Sequence, residues 1–460
     1  MKKSLYVILL ISYLGIAQKK PNLIIIMTDD MGWADVGFNG CKDIPTPNID
    51  IIANEGVRFD EGYVSFPVCG PSRAGLLTGR YQDRFGFTTN PSIDPNNPIA
   101  GLPVEEETIA QVLRKAEYNS AIVGKWHMGT NAVFHPLERG FDYFYGFLSG
   151  GHNYYHDQLI YNDLSDVTSK WGWYKTKIKE NHSVVETDDY LTDELSDAAV
   201  SYINKQARND QHFMLYLAYN APHTPLQATE KYLARFPNIK DKKRKTYAAM
   251  VSAVDDGVGR VLNALKEQGL DEETIIVFLS DNGGAHNNAS DNGPLRGLKG
   301  DLFEGGVRVP FAMRWKGNIP EGKTYKNAVS SLDIMATIVA RNNIKINKER
   351  PLDGVDLVPF LTGNKKGNPH DVLFWRKWEQ NAMAIRKGNL KLVKNIKDNH
   401  KDLELFDLSL DVSESNNSKV KVKQTSKELQ KEWEQWNSEL KDRVFPTLGS
   451  DNWWSKKGKK

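Results

Sequence analysis

Cysteine is scarce in this sequence of 460 residues, which contains only Cys41 and Cys69. Two cysteines exclude the disulfide framework that stabilises many small secreted domains. A Cys41–Cys69 bridge is conceivable, but it would consume a thiol that lies in the most distinctive motif of the chain. We therefore expect Cys41 to be a bystander and the thiol of Cys69 to be free.

An excess of charge of either sign is also missing. The chain has 60 Lys and Arg residues against 58 Asp and Glu residues, and Lys2 and Lys3 account for the difference. Such a balance argues against a general affinity for nucleic acids or membrane surfaces, so no nucleic-acid partner is expected. An anionic ligand has to be held instead by a local cluster of positive side chains.

No apolar run is long enough to span a bilayer comfortably. The run at residues 5–14 follows Lys2 and Lys3 and precedes Gly15-Ile16-Ala17, an arrangement typical of a secretory signal peptide over residues 1–17. A retained membrane anchor is the alternative. Because no cysteine follows the run, a bacterial lipoprotein is disfavoured. We expect a periplasmic or secreted protein without a stable membrane anchor.

Apolar runs rich in β-branched residues alternate with helical patterns along most of the chain. This alternation predicts an α/β fold in which a large, mostly parallel sheet is flanked by helices. The expected buried strands are residues 22–28, 119–124, 212–219 and 274–280. The helical patterns lie near residues 108–115, 189–206 and 243–268.

The pattern changes after about residue 363. Residues 364–369 read as a linker, and short alternating segments follow at 382–386 and 390–393. A helix is expected to begin near Thr425, because Thr425 and Glu428 have the spacing of a capping box. We therefore predict a large domain over residues 18–363 and a C-terminal subdomain over residues 364–460, built from a small antiparallel sheet and one helix.

Polar side chains follow each of the four predicted strands, where active sites form in parallel sheets. Asp29, Asp30, Asp281 and Asn282 supply three carboxylates and an amide, which are hard oxygen ligands. Placed together they predict a site for Ca²⁺ or Mg²⁺ rather than for zinc or copper. An acidic pair alone is more often a cap or a turn.

The most informative motif is Cys69–Arg80, which reads Cys-x-Pro-Ser-Arg-x-x-x-Leu-Thr-Gly-Arg. It resembles the pattern by which type I sulfatases, of the alkaline-phosphatase-like superfamily, mark one cysteine for oxidation to formylglycine. The resemblance continues in Gly-Lys-Trp-His-Met-Gly at residues 124–129 and in the segment at residues 296–310, and it is strong over about residues 21–362. The alternative is a buried structural cysteine before a helix.

The resemblance implies a formylglycine derived from Cys69 as the nucleophile. Its hydrate has two hydroxyls, one to attack sulfur and one to expel sulfate afterwards. The resemblance also implies one divalent cation, usually Ca²⁺ with Mg²⁺ as the alternative, held by the four oxygen ligands named above together with an oxygen of the modified Cys69. The partner needed is a formylglycine-generating enzyme or an anaerobic sulfatase-maturating enzyme.

The remaining roles are also implied by the resemblance. Lys125 and Lys299 match residues that hold the sulfate, and Arg73 is expected to contact the hydrate and the metal-binding carboxylates. His127 is expected to act as a base on the second hydroxyl. His223 is expected to contact the sulfate and to donate a proton to the departing oxygen. Isolated lysines and histidines of this kind are more often ordinary surface or core residues.

The expected substrate is a sulfated carbohydrate, such as a fragment of ulvan or carrageenan. Aromatic and amide side chains at residues 149–180 suit contacts with sugar rings, and His152 is the candidate for binding a substrate hydroxyl or a second sulfate. A packed loop explains these side chains equally well. Alternative functions are a phosphonate monoester or phosphodiester hydrolase and a non-catalytic glycan-binding protein.

Overall fold

A computed structural model describes residues 20–395, 402–418, 422–448 and 453–456. The expected signal peptide at residues 1–17 lies outside these ranges. The strands in the described residues are β1 (Asn22–Thr28), β2 (Val57–Phe59), β3 (Gly62–Tyr63), β4 (Asn119–Lys125), β5 (Tyr143–Phe147), β6 (Lys179–Glu180), β7 (Ser183–Val184), β8 (Phe213–Ala218), β9 (Thr274–Ser280), β10 (Phe311–Arg314), β11 (Lys323–Tyr325), β12 (Val329–Ser330), β13 (Val372–Lys377), β14 (Ala382–Lys387), β15 (Leu390–Lys394) and β16 (Glu404–Asp407).

The α-helices in the same residues are α1 (Pro47–Asn54), α2 (Cys69–Thr78), α3 (Ile109–Arg114), α4 (Leu191–Arg208), α5 (Glu230–Leu233), α6 (Lys242–Glu267), α7 (Glu304–Val307), α8 (Asp333–Arg341), α9 (Val358–Leu361) and α10 (Lys423–Asn437). Among the helices of the described ranges, none is both long and apolar enough to cross a membrane.

Ten strands form the central sheet in the order β11-β2-β10-β9-β1-β8-β4-β5-β6-β7. The five inner strands, β9, β1, β8, β4 and β5, run parallel to one another. Antiparallel pairs at both margins make the sheet mixed. The predicted α/β fold is confirmed, and each of the four predicted strands lies within one residue of its expected bounds.

Helices cover both faces of this sheet because the inner strands are apolar on both sides. Along β1, Leu23 and Ile25 face a core that includes Leu76 of α2. Ile24 and Ile26 face the opposite core, which α4 and α6 complete. Successive side chains of a strand point to opposite faces, so an unbroken apolar run is what a strand buried between two helical layers requires.

The C-terminal subdomain is the expected antiparallel sheet, in the order β13-β14-β15-β16, with α10 packed on it. The expected helix is α10, which begins at Lys423, two residues before Thr425. The expected capping box of Thr425 and Glu428 is wrong, because the N-cap is Val422 and no side chain caps the helix. Ser426 instead donates its hydroxyl back to Val422 O at 3.3 Å, a local bond open to serine within a helix. Trp375 of β13 joins Tyr63 and Phe303 of the large domain in a common core.

Candidate active site

The carboxyl ends of β1 and β9 bring the four predicted oxygen ligands together. Asp29 and Asp30 follow β1, and Asp281 and Asn282 follow its parallel neighbour β9. Asn282 Nδ2 donates to Asp30 Oδ1 at 2.8 Å, and Asp30 N donates to Asp281 Oδ1 at 3.3 Å. All four side chains are buried. The predicted convergence of these side chains at one sheet edge is therefore what the fold produces.

Each of the three carboxylates has its own basic partner. Lys125 Nζ, at the end of β4, lies 2.6 Å from Asp29 Oδ2. Lys299 Nζ lies 2.6 Å from Asp30 Oδ1. Arg73, from α2, places one guanidinium nitrogen 2.8 Å and another 2.9 Å from Asp281 Oδ2. A chain without net charge needs a local cluster of cations to hold an anionic ligand, and these three side chains form such a cluster.

The pKa values of the carboxyls reflect this crowding. Burial raises the pKa of Asp29, but the charges of Lys125 and His223 outweigh it and leave that pKa below its ordinary value. Burial likewise opposes the charge of Lys299 at Asp30, whose pKa also ends below the ordinary value. The pKa of Asp281 is raised, first by burial and then by the negative charge of Asp29. Asp281 is therefore the least well compensated of the three carboxylates.

The cluster suits a hard divalent cation. Asp29 Oδ1 and Asn282 Oδ1 are buried and accept no hydrogen bond from the described residues. Such orphaned buried oxygens are costly unless something binds them. Ligand atoms of Asp29, Cys69 and Asp281 lie within 4.8 Å of one another, as do those of Asp29, Asp30 and His223. Carboxylate and amide oxygens are the ligands that Ca²⁺ and Mg²⁺ prefer, so the residues present fit the expected ion.

Cys69 is the first residue of α2 and is only 2% exposed. Its neighbour Gly70 donates its amide to Asn90 Oδ1 at 2.9 Å, and the same oxygen lies 3.7 Å from Cys69 Sγ. Both cysteines are free thiols. Cys41 donates instead to Asp43 Oδ1 at 3.3 Å, and burial raises its pKa to about 11. The expected absence of a Cys41–Cys69 bridge is confirmed.

The two predicted histidines differ in their surroundings. Both ring nitrogens of His127 are buried without a hydrogen-bond partner in the described residues. Burial, followed by the charges of Lys125 and Arg73, holds the pKa of His127 well below its ordinary value. His223 Nδ1 lies 2.6 Å from Thr224 O, and its Nε2 lies 3.6 Å from Asp30 Oδ2. Burial lowers the pKa of His223 although Asp29 and Asp30 oppose this effect.

A cleft of about 670 Å³ opens above these residues. Of the predicted site residues, Asp30, Cys69, His127, His223 and Lys299 line it. Arg73, Lys125, Asp29, Asp281 and Asn282 lie behind them, linked through the contacts given above. The remaining lining residues are Asn90, Gly150, Asn153, Trp171, Trp173, Tyr174, Lys175, Thr224, Pro225, Ala285, His286, Asn287 and Leu448.

The structure does not bring His152 to this cleft. Its ring is 1% exposed and stacks on Phe147 with the ring centroids 4.6 Å apart. Its nitrogens lie 2.8 Å from Asn153 O and 2.6 Å from Thr176 O, and burial lowers its pKa to about 4. The sequence left two explanations for this loop, substrate binding and packing. Packing accounts for His152, because both of its ring nitrogens already lie against backbone carbonyls.

Two residues outside the predicted ligand and catalytic residues support the site. Asn90 holds the amide of Gly70 beside Cys69, as described above. Asn288 is buried and donates its side-chain amide to Asp30 O at 2.9 Å. Asn288 belongs to a polar stretch after the metal-ligand candidates, which is a weak local signal. Asn90 has no local signal in the sequence, because it reaches α2 only through the folding of a loop.

Comparison with known proteins agrees with the geometry. Residues 21–344 match the protein family described as Sulfatase, and residues 299–441 match the family described as N-sulphoglucosamine sulphohydrolase, C-terminal. N-acetylgalactosamine-6-sulfatase from Mus musculus is 34% identical over 403 residues, which are 84% of this chain and 74% of the mouse protein.

Two solved structures are also similar. The crystal structure of Ps i-CgsB in complex with k-i-k-neocarrahexaose is 39% identical, with a TM-score of 0.88 over 94% of this chain and 96% of that one. The PsFucS1 sulfatase from Pseudoalteromonas sp. is 27% identical, with a TM-score of 0.77 over 92% of this chain and 90% of that one. The chain therefore belongs to the sulfatase family, as a type I sulfatase that hydrolyses sulfuric esters.

Proposed function

We propose that this sulfatase is exported, hydrolyses sulfate esters of a carbohydrate, and uses a formylglycine formed from Cys69. The observation that carries the proposal is the position of Cys69, at the base of a cleft and within 4.8 Å of two metal-ligand candidates, Asp29 and Asp281. Lys299 lines the same cleft and supplies a positive charge for an anionic group. Export rests on the sequence of residues 1–17.

The names of the relatives favour a sulfated sugar of the galactose series. The mouse relative is named for N-acetylgalactosamine 6-sulfate, and Ps i-CgsB was crystallised with a neocarrahexaose, an oligosaccharide of the carrageenan series. Both ligands contain galactose-configured rings. Of the two polysaccharides named above, carrageenan is therefore the better supported, and ulvan the less.

The proposed cation would be held by Asp29, Asp30, Asp281 and Asn282 and would supply the positive charge that polarises a sulfate ester. Formylglycine at position 69 would supply a hydroxyl as nucleophile. The chain's own contribution is positioning. Lys299 and Lys125 hold sulfate oxygens by charge-assisted hydrogen bonds, and Arg73 fixes the orientation of Asp281.

The two histidines handle protons. Thr224 O only accepts a hydrogen bond, so Nδ1 of His223 carries a hydrogen. Nε2, which lies 3.6 Å from Asp30 Oδ2, carries the second proton when the ring is protonated, and this is the proton that His223 gives to the departing sugar oxygen. Acid assistance is needed because a sugar alkoxide is a poor leaving group. His127, whose ring nitrogens make no hydrogen bond to the described residues, accepts a proton from a hydroxyl at position 69.

The test uses Cys69→Ala and Cys69→Ser in the full chain, made in a host with the maturation enzyme. We expect neither variant to release sulfate from a carrageenan oligosaccharide. Wild-type protein should be lighter than its sequence mass by about 18 Da, the difference between a thiol and an aldehyde at one oxidisable cysteine. Sulfate release by either variant would sink the assignment of the nucleophile.

Two further measurements separate the alternative functions. Faster turnover of an aryl phosphate diester than of an aryl sulfate would favour a phosphodiester or phosphonate hydrolase. An unmodified Cys69 in protein from the native host, together with binding of sulfated oligosaccharide, would favour a non-catalytic glycan-binding protein.

A further inference from the structure

Three aromatic side chains on one loop form a wall of the catalytic cleft. Trp171, Trp173 and Tyr174 all line it, but they differ in exposure. Trp173 is 2% exposed and packs in a small core with Ile93 and Trp453. Trp171 is 51% exposed. Trp173 is therefore a structural part of the wall, whereas the ring of Trp171 is accessible to a ligand in the cleft.

The backbone of Trp171 is strained. Its φ is 67°, in the left-handed region, which is a genuine outlier for a bulky side chain. A glycine would take this conformation without steric cost. The position nevertheless carries the largest side chain, and more than half of that side chain is left in solvent. Strain of this kind clusters at active sites and ligand-binding sites.

The ring of Trp171 is held firmly in place. Its centroid lies 5.0 Å from that of Trp173 and 6.2 Å from that of Tyr174. Trp173 is in turn braced by Trp454, at 5.7 Å. Lys170 Nζ lies 5.3 Å from the centroid of Trp171, a cation–π contact. A rigid aromatic surface loses little conformational entropy when a sugar ring stacks on it.

A positive charge lies on the same wall. Lys175 is exposed and lines the cleft, and no carboxylate lies within 4.0 Å of its ammonium group among the described residues. This distinguishes it from Lys177 and Lys179 on the same loop, which pair with Glu186 and Asp163 respectively. The unpaired charge of Lys175 beside an exposed tryptophan suits a ring that carries an anionic group.

We propose that Trp171 and Lys175 form a subsite for the sugar next to the one that loses its sulfate, and that this neighbouring sugar carries a sulfate or a carboxylate. The subsite rests on the proposed action on a carbohydrate. It makes the enzyme select an oligosaccharide with at least two anionic groups over a single sulfated sugar.

The test measures binding, so that it does not depend on turnover. Calorimetric titration of full-length Cys69→Ala is made with a neocarrageenan hexasaccharide and, separately, with inorganic sulfate, which reports on the sulfate-binding part of the catalytic site and not on a neighbouring sugar. Adding Trp171→Ala should raise the Kd of the hexasaccharide about tenfold, the scale of one aromatic contact. The Kd of inorganic sulfate should change less than about twofold. Trp171→Phe should restore most of the affinity. Leu410→Ala, at an 86% exposed position outside the cleft, is the control and should change nothing.

Lys175→Gln tests the charge, with the exposed Lys366→Gln as its matched control. Lys175→Gln should weaken the binding of the sulfated hexasaccharide but not the binding of a desulfated one. If Lys175→Gln also weakens the binding of a chondroitin hexasaccharide, the second anion is a carboxylate. Unchanged binding of the hexasaccharide in both Trp171→Ala and Lys175→Gln would overturn the subsite, as would equal loss of sulfate binding. Tryptophan-dependent binding without sulfate release by the matured wild type would instead reject the catalytic proposal and leave the subsite standing.

Discussion

Lys299 Nζ lies 2.6 Å from Asp30 Oδ1 and 2.8 Å from Asp30 Oδ2, so one ammonium group faces both oxygens of a carboxylate that follows β1. The segment that carries Lys299 is fixed at its backbone, because Lys299 N donates to Gly284 O at 2.9 Å and Gly300 N donates to Pro67 O at 2.8 Å. Burial lowers the pKa of Lys299, but the negative charges of Asp30 and of the other acidic groups around it together outweigh burial and raise that pKa well above its ordinary value. Lys299 is therefore a permanent cation at the cleft.

Replacing this cation should slow the reaction. We expect Lys299→Gln to lower kcat/KM for sulfate release about a hundred- to a thousandfold, the usual cost of removing one preorganised group that stabilises developing charge. Lys316→Gln is the matched control, since Lys316 also pairs with an aspartate, Asp271, at 3.2 Å but lines no part of the cleft. A loss of less than threefold in Lys299→Gln would show that this lysine does not bind the transferred group.

Removal of the divalent cation should abolish activity without unfolding the protein. Asp29, Asp30 and Asp281 each keep a basic partner, so their charges remain compensated in the folded chain. We expect chelator-treated protein to retain its near-ultraviolet circular dichroism and a cooperative thermal transition. Adding Ca²⁺ should restore sulfate release and raise Tm progressively with concentration, as expected for a ligand of the folded state.

Asn282→Ala tests whether the cation binds at the predicted ligands. Its neutral side chain can be removed without changing the net charge of the cluster. The rise of Tm with Ca²⁺ should require at least tenfold more ion in this variant, because one oxygen ligand is lost. An unchanged calcium dependence of Tm would place the ion elsewhere.

The sequence predicted the inner sheet and the convergence of polar side chains at its edge well, for a physical reason. An unbroken β-branched run such as β1 can be buried only between two helical layers, and polar residues just beyond it must then gather at one sheet edge. Asp29 and Asp30 are placed by that rule alone. Short marginal strands such as β6, with two residues, carry no comparable pattern and were not predicted.

Loop residues were predicted less well, because their positions depend on contacts far apart in the sequence. His152 reads as an exposed polar residue among aromatics, yet it is buried against Phe147 once the loop folds over β5. Leu448 reaches the cleft because Thr447 pairs with Pro91 and Leu448 N donates to Asn90 O at 3.1 Å. Nothing local in the sequence indicates that pairing.

Arg73 should be as important for stability as for catalysis. Its side chain and that of Asp281 are both 0% exposed. Removing one partner of a buried ion pair leaves a charge without compensation, so we expect Arg73→Met to lower the free energy of unfolding by about 3–5 kcal/mol. Arg235→Met is the control, because the Arg235–Asp256 pair is 40% and 32% exposed and should contribute at most about 1 kcal/mol. Equal effects of the two substitutions in urea unfolding would contradict this account.

A buried charge cluster near the C-terminal subdomain should make stability depend on pH. Lys391 Nζ lies 2.9 Å from Glu304 Oε1 and 3.0 Å from Glu414 Oε1, and all three side chains are 0% exposed. Arg308 also lies 3.4 Å from Glu304 Oε2, so the positive charge of the cluster compensates Glu304 more fully than Glu414. Burial raises the pKa of Glu414 to about 7, and the charge of Lys391 only partly opposes that rise.

The sign of the effect follows from that raised pKa. Glu414 ionises near pH 7 in the folded chain but near its ordinary value of 4.5 in the unfolded chain, so its contribution to stability is complete below pH 4.5 and is lost as the pH rises through 7. We expect the free energy of unfolding of the wild type, relative to Glu414→Gln, to fall by up to about 3 kcal/mol between pH 5 and pH 8. Glutamine keeps an oxygen to accept the bond from Glu304 N, now 2.6 Å long. Glu428→Gln, an exposed change on α10, should follow the wild type. If urea unfolding gives the same difference in free energy of unfolding between wild type and Glu414→Gln at every pH in this range, Glu414 stays charged when buried.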